Sequence, residues 1–337
     1  MSLPRKQDSD AIIETLRNLR REPWLGPLQR WWPKYLFRVE DIESAAKILN
    51  DGRLLSRAKA QADGVMAKDC ASPGVLAQTD TRWKSCVRLY FRPRTPMQYD
   101  IEGFRQKAAY KLGGCWPAPV ILMFDSEDIL TRTGTLFSNG NLAAREPEWG
   151  DNAEFFKTIP FDRVYHDNAL DQAQPGKLRK TIYHRHAEAV VPDELDLSAL
   201  KFIGCRSQAE YETLLFLLDE KVRERWSGKI GPGTKGNLHF RHWTFVEQAE
   251  LSVEAIHLHF NPSTNSPGPF HASMTIHESA TGRRYRWQDP SYSVNTKEPI
   301  LKIGLGSLSH SEKYSVELRL DKDLAYANRF EEYDIPF

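Results

Sequence analysis

A cluster of basic residues is the first feature of the sequence that could do chemistry. Residues 82–111 contain eight basic and only two acidic residues. Arginine side chains fit phosphate oxygens well, so the cluster suggests a site for a nucleotide or a nucleic acid. Proline restricts the backbone between Arg92 and Arg94, at the end of an apolar run, which strengthens this interpretation. A solvated charged surface is the alternative. The basic residues are Arg82, Lys84, Arg88, Arg92, Arg94, Arg105, Lys107 and Lys111.

The second feature is a single carboxylate, Glu188, which stands between Ala187 and Ala189 at the start of an apolar run. Small neighbours leave room around a carboxylate, and strand ends often open into clefts. Arg185 and His186, just before it, could contact a phosphate or transfer a proton. These residues therefore indicate a catalytic site, with an exposed strand glutamate in a salt bridge as the alternative.

Histidines and cysteines show no spacing that predicts a metal site. His257 and His259 would share one face of a strand, but no carboxylate follows at a suitable distance. The four cysteines include no CxxC pair, and the serine-nucleophile, phosphate-loop and dinucleotide-binding motifs are missing from the sequence. We therefore expect no bound metal, and half-buried histidines in strands.

The hydrophobic pattern predicts the elements that would position these residues. Helical spacing predicts helices over residues 9–21, 41–50 and 207–226. Short apolar runs predict strands over residues 87–91, 119–124, 188–191 and 200–205. Beyond residue 226, alternation of period two predicts strands over residues 251–260, 272–278, 300–305 and 314–320. The expected fold class is α+β, with a mixed α/β domain followed by a C-terminal all-β sandwich.

Composition and length limit the functions that fit. The 337 residues carry a formal net charge of +1, which argues against a wholly basic nucleic-acid binder but not against a local basic groove. The length predicts two domains, residues 30–226 and 237–337, after an N-terminal helical extension over residues 1–29. No apolar run approaches the roughly 20 residues of a membrane span, and the charged N-terminus lacks a signal-peptide pattern. We therefore expect a cytoplasmic protein with no membrane partner.

Four short motifs occur in order along the first predicted domain. They are Gly52-Arg-Leu-Leu-Ser56, Tyr90-Phe-Arg-Pro-Arg-Thr-Pro-Met97, Phe137-Ser-Asn-Gly-Asn141 and Ala187-Glu-Ala-Val-Val-Pro192. In type and order they resemble the DarT family, bacterial toxins that transfer ADP-ribose from NAD to bases of nucleic acid. The resemblance runs from about Tyr35 to Leu218. It implies an ADP-ribosyltransferase-like fold for this domain.

The resemblance also implies a reaction and roles for residues. The reaction would be NAD-dependent ADP-ribosylation of a base in single-stranded DNA or RNA, by a toxin or an anti-phage effector. Arg94 would match the family's essential arginine and Glu188 its catalytic glutamate. The residues implied for the NAD substrate are Arg38, Glu40, Ser56, Tyr90, Phe91 and Arg94. Those implied for the nucleic acid are Arg92, His166, Lys177, Arg179, Lys180, Arg185 and His186, with Trp83, Tyr165 or His166 as stacking faces. An antitoxin protein is a further partner that the resemblance suggests.

One motif departs from the family. A His-x-Thr pair on the family's first strand contacts NAD, and Arg38 and Glu40 stand in its place here. The same contacts cannot be made by these charged groups. Two alternatives therefore stay open: a non-catalytic relative that binds nucleic acid or a partner, and a transferase with a protein or small-molecule target. For the β domain we expect a recognition or assembly role, with Trp243, Trp287, Tyr285 and Tyr292 as its first candidates.

Overall fold

The computed structural model of the chain describes residues 4–65, 74, 79–106, 116–169 and 173–332. Lys107 and Lys111 of the basic cluster, with Cys70 and Cys115, lie outside these residues. The helices are α1 (Ser9–Leu19), α2 (Ile42–Asp51), α3 (Arg57–Ala62), α4 (Thr81–Lys84), α5 (Pro96–Ile101), α6 (Ser126–Thr131), α7 (Ala153–Thr158), α8 (Phe161–Val164), α9 (Pro175–His184), α10 (Gln208–Leu217) and α11 (Glu220–Trp226).

Strands β1 to β10 belong to the first part of the chain and β11 to β17 to the second. The first set is β1 (Tyr35–Asp41), β2 (Arg53–Leu55), β3 (Cys86–Tyr90), β4 (Pro119–Asp125), β5 (Leu136–Ser138), β6 (Trp149–Gly150), β7 (Glu188–Pro192), β8 (Glu194–Asp196), β9 (Leu200–Cys205) and β10 (Ile230–Pro232). The second set is β11 (Val246–Leu251), β12 (Ala255–Phe260), β13 (Phe270–Glu278), β14 (Arg284–Tyr292), β15 (Ile300–Gly304), β16 (Lys313–Leu320) and β17 (Asp323–Glu331).

An eight-stranded sheet forms the centre of the first part, in the order β10-β9-β4-β1-β3-β7-β5-β6. Its pairings are antiparallel except between β9 and β10. Strand β1 pairs with β4 over seven residues, but with β3 only at Phe37 and Tyr90. The sheet is therefore almost divided between β1 and β3, which leaves peptide groups of both strands open to other partners at that place.

Burial explains why these segments form the elements that they do. Residues Val120 to Phe124 of β4 are all buried, so the strand is apolar without alternation. The N-terminal helix α1 buries Ile12 and Leu16 in the same hydrophobic core. Helix α2 begins at the Asp41 cap and ends at Gly52, whose φ of 73° is a left-handed conformation that favours glycine.

The second part is all β, with a three-stranded sheet (β11-β12-β15) and a four-stranded sheet (β14-β13-β16-β17). Both sheets contribute to one hydrophobic core, which is the arrangement of a sandwich. The mixed α/β region followed by an all-β region confirms the predicted fold class. Tyr285, Trp287 and Tyr292 pack against this core, which favours a structural role for these three.

Two predicted elements are wrong in extent. The helix predicted over residues 207–226 is two helices, because Leu218 is extended and α11 starts after Asp219. The strand predicted over residues 251–260 begins at Ala255, because the Ser252 hydroxyl accepts hydrogen bonds from two following amides and turns the chain. After this turn, β12 runs back antiparallel to β11.

Helix α10 joins the two parts. Ala209 belongs to the core of the second part and Leu214 to that of the first. The Thr213 hydroxyl accepts a hydrogen bond of 3.0 Å from the amide of Ala327, at the edge of the four-stranded sheet. Among the residues described, none of the helices has the length and apolar character that crossing a bilayer requires.

Candidate active site

Glu188 is the first residue of β7 and its carboxylate is fully buried, with 0% of its surface exposed. Arg88 of the neighbouring strand β3 holds it with two hydrogen bonds, Nε to Oε2 at 2.5 Å and Nη2 to Oε1 at 2.6 Å. The strand register explains this contact, since Tyr90 pairs with Glu188 and Arg88 lies two residues away on the same face. Arg88 therefore fixes the position of both carboxylate oxygens.

The segment Phe137–Asn141 fixes the backbone at Glu188. The Ser138 hydroxyl accepts a hydrogen bond from the Glu188 amide at 3.1 Å and donates one to the Gly140 carbonyl at 2.6 Å. The Tyr183 hydroxyl donates to the Asn139 side chain at 2.9 Å. Position 140 requires glycine, because a Cβ there would lie 2.2 Å from the Tyr183 ring. The motif therefore orients the carboxylate.

Tyr90 and His186 lie beside this ion pair, with ring centroids 6.3 Å apart. Burial and the Glu188 charge raise the pKa of Tyr90 to about 12, so its hydroxyl stays protonated. Burial lowers the pKa of His186 below its usual value, so the imidazole is neutral at neutral pH. Its Nδ1 lies 2.9 Å from the Ile182 carbonyl and must donate to it, which leaves Nε2 as a proton acceptor.

A second group of charges surrounds Asp167. Its carboxylate accepts hydrogen bonds from Arg92 at 2.5 Å and from Arg94 at 3.1 Å. Arg185 stands next to it and donates to the His166 Nδ1 and the Asn168 carbonyl, both at 2.6 Å. Arg92, Arg94 and Arg185 thus bring three guanidinium groups to one carboxylate. This arginine cluster has an excess of positive charge and is suited to an anionic ligand.

The three arginines differ in exposure. Arg92 is 1% exposed, stacks over Trp32 and donates to the Pro93, Val164 and His166 carbonyls. Its burial favours a structural role over the predicted contact with nucleic acid. The Arg94 side chain is 20% exposed, and its Nε has no hydrogen-bond partner among the described residues. Arg94 also has a φ of 56°, held by a 2.9 Å hydrogen bond from its amide to Gln98.

Arg38 and Glu40 join the Glu188 group from the other side of the division in the sheet. They pair with each other, with an Arg38 Nη2 to Glu40 Oε1 distance of 2.6 Å. Arg38 also donates to the Arg88 carbonyl at 3.2 Å, so it binds one of the peptide groups that the division leaves open. These contacts place the pair next to the strand that carries Arg88, and the role predicted for it towards NAD stays a prediction.

Other predicted site residues have different surroundings. Ser56 is buried and caps α3, and Phe91 packs against Phe156 and Phe161 in the core. Trp83 and Tyr165 are almost fully buried, so the stacking role predicted for them does not fit their burial. The predicted contacts that lie exposed on α9 are Lys177, Arg179 and Lys180.

Sequence reasoning missed two partners in the site. The sequence places Arg88 in the basic cluster and predicts no contact with Glu188 for it. Arg88 nevertheless stands two residues before Tyr90 and on the same face of β3. Asp167 was not singled out, although it follows His166 directly and binds two arginines of the predicted site. Within the described ranges no group of acidic, histidine or cysteine side chains could hold a metal ion. His257 and His259 instead lie 3.6 and 3.3 Å from Glu250.

Comparisons with solved structures find proteins named DarT and DarTG. The DarT of Thermus sp. 2.9 in complex with ADP-ribosylated ssDNA is 18% identical, covers 59% of this chain and 92% of its own, with a TM-score of 0.45. The same enzyme in complex with NAD+ gives 18% identity, 59% and 93% coverage, and a TM-score of 0.43. DarTG of Thermosipho africanus in complex with ADP-ribose is 15% identical, covers 65% of this chain and 53% of its own, with a TM-score of 0.45.

The comparison with protein families gives a match over most of the first part. No curated protein matches the chain. The family model described as "DarT: ssDNA thymidine ADP-ribosyltransferase, DarT" matches residues 37–232, which is more than half of the chain and contains Arg94 and Glu188. The family match confirms the resemblance seen in the four motifs. The chain belongs to the DarT family of ssDNA thymidine ADP-ribosyltransferases.

Proposed function

We propose that this protein transfers ADP-ribose from NAD to a base of single-stranded DNA, and we include RNA as a substrate to be tested. The observation that carries the proposal is the fully buried Glu188 carboxylate, bound at two points by Arg88. Breaking the bond between nicotinamide and ribose passes through an oxocarbenium-like state. A fixed, desolvated carboxylate stabilises that positive charge strongly.

The residues present fit NAD as the other substrate. NAD carries two phosphates between its nucleosides, and the arginine cluster has three guanidinium groups for one carboxylate. Arg94 is the member with a partly exposed side chain and a buried Nε that has no protein partner within the described residues. We therefore assign Arg94 to the dinucleotide, as its match to the family's arginine implies.

His186 is the group best placed to take a proton in the reaction. A base nitrogen that attacks the ribose must lose its proton, and a neutral histidine with a free acceptor nitrogen can accept it. His186 has this protonation state because burial lowers its pKa, and its Nδ1 is occupied by the Ile182 carbonyl. Glu188 would then act on the ribose and take no part in the transfer of this proton.

Helix α9 would hold the single strand. Its exposed residues Lys177, Arg179 and Lys180 lie on the helix that ends at His184, two residues before His186. Lysine and arginine in this position would bind phosphates without reading sequence. A bulky ADP-ribose on a template base would interrupt replication, so we propose a toxin or anti-phage effector that acts in the cytoplasm and is controlled by an antitoxin protein.

The experiment is a labelling assay with radioactive NAD and single-stranded DNA and RNA oligonucleotides, with wild type and Glu188→Gln side by side. We expect label on the oligonucleotide with wild type and a loss of at least about 100-fold with Glu188→Gln, the usual scale for an electrostatic catalytic group. Failure of wild type to label any oligonucleotide would overturn the proposal. Label on protein instead would identify a protein target.

A nucleic-acid binding module is the second candidate, because Arg38 and Glu40 satisfy each other at 2.6 Å at the position of the family's NAD contact. Calorimetry separates the two candidates. Heat of binding with NAD supports the transferase. Salt-dependent oligonucleotide binding without any heat from NAD supports the binding module.

A further inference from the structure

We propose that Tyr99, Phe240, His242 and Trp243 form a stacking surface for a base of the single strand that neighbours the modified base. We call these four rings the aromatic platform. The proposal rests on the proposed function, since the occupant is the same single-stranded nucleic acid. Three of the four residues lie beyond residues 37–232, so the platform comes mainly from a segment outside the family region.

Tyr99 of α5 stands at the centre of the platform. Its ring centroid lies 5.2 Å from that of Phe240, 6.0 Å from that of His242 and 5.9 Å from that of Trp243. Tyr99 is 38% exposed and His242 is exposed as well. One exposed aromatic residue is ordinary on a protein surface, whereas a cluster of four rings that is partly exposed indicates a binding site.

Two arginines interleave with these rings. The Arg94 guanidinium lies 4.9 Å from the Phe240 ring centroid, and that of Arg105 lies 3.9 Å from the Trp243 ring and 5.9 Å from the Tyr99 ring. Aromatic rings alternating with cations are the usual chemistry of single-strand binding, because every base has a π-face and every linkage a phosphate. Arg94 also binds Asp167, so the platform directly adjoins the arginine cluster.

The platform is held rigidly before any ligand binds. The buried carboxylate of Glu102 accepts hydrogen bonds from the amides of Phe240 at 3.1 Å and Arg241 at 2.8 Å. Gly103 lets Trp243 approach, since a Cβ on Gly103 would lie 2.4 Å from the Trp243 Cβ. A surface fixed in this way binds with a smaller loss of conformational entropy than mobile side chains do.

The test compares Tyr99→Leu with Tyr99→Phe, which keeps the ring, and with Phe202→Leu, which removes another exposed aromatic residue. Phe202 is 46% exposed on β9, and three strands separate β9 from β7, the strand of Glu188. Tyr99→Leu should raise the KM for a single-stranded oligonucleotide roughly 5- to 150-fold, the effect of losing one stacked base. The KM for NAD should not change. Tyr99→Phe and Phe202→Leu should stay close to wild type.

Oligonucleotides with a single abasic site identify the occupant directly. Their binding is measured in the Glu188→Gln background, where no transfer interferes. The protein that retains Tyr99 should bind the oligonucleotide less tightly when the abasic site occupies one position next to the target base. The protein that also carries Tyr99→Leu should bind with the same affinity whether or not that position is abasic. Additive effects at every position would overturn the proposal, as would a change in the KM for NAD instead of the oligonucleotide. A wild type that modifies no oligonucleotide would overturn the proposed function itself, which is a distinct result.

Discussion

Replacing Arg88 with methionine should be among the most damaging single changes in the active site. Glu188 is completely buried, and both of its carboxylate oxygens bind Arg88. Without the arginine, the carboxylate has lost its charge partner in a desolvated place, which costs about 3–5 kcal/mol. At about 2–4 °C per kcal/mol for a domain of this size, the melting temperature should fall by about 6–20 °C.

The reverse change should cost less. Glu188→Gln leaves Arg88 without its full partner, but the Arg88 side chain is 22% exposed and reaches water. We expect a loss of about 1–3 kcal/mol, the usual range for a hydrogen-bonding group left with an incomplete set of partners. The double variant Arg88→Met with Glu188→Gln should be more stable than Arg88→Met alone, because no charge is then buried without a partner.

Calorimetric unfolding of the three variants measures this cycle. A smaller fall in melting temperature for Arg88→Met than for Glu188→Gln would refute the reasoning.

Three further predictions concern His186, the basic residues and the glycine of the Phe137–Asn141 motif. Burial lowers the pKa of His186 below 6.5, so the imidazole should be able to accept a proton at neutral pH. The rate of transfer should therefore decline only below pH 6.5. In a pH–rate profile, His186→Gln should remove this decline at acid pH. Arg92→Gln should lower the melting temperature. Replacing Lys177, Arg179 and Lys180 by glutamine should leave the melting temperature unchanged. It should reduce the slope of log affinity for an oligonucleotide against log salt concentration by about 2. Gly140→Ala should displace the Tyr183 ring, lower kcat and reduce stability by about 1–3 kcal/mol. Gly176→Ala, whose added Cβ would have no neighbouring atoms within 4 Å, should lower neither kcat nor stability.

Local patterns in the sequence were sufficient for most of the fold. The apolar run over residues 119–124 predicted β4, and the alternation beyond residue 226 predicted the β sandwich, because both patterns follow from burial on one or two faces. The break at Leu218 and the turn at Ser252 were missed. Each depends on a few backbone contacts that leave the hydrophobic pattern almost unchanged.

The candidate site was only partly predictable. Motif order pointed to Arg94 and Glu188, but the partners Arg88 and Asp167 are defined by contacts between distant segments. Arg92 and Arg94 are two residues apart and equally basic, yet one is 1% exposed and the other has a 20% exposed side chain. Only tertiary packing, such as the stacking of Arg92 on Trp32, separates a structural arginine from one that can reach a ligand.

The most direct test of the central claim is the mass of a single-stranded DNA oligonucleotide after incubation with NAD and the protein. The proposed role of Glu188 predicts a gain of one ADP-ribose on the oligonucleotide with wild type, with release of nicotinamide, and no gain with Glu188→Gln. An unchanged oligonucleotide mass with wild type, or an equal gain with Glu188→Gln, would contradict the role assigned to this carboxylate.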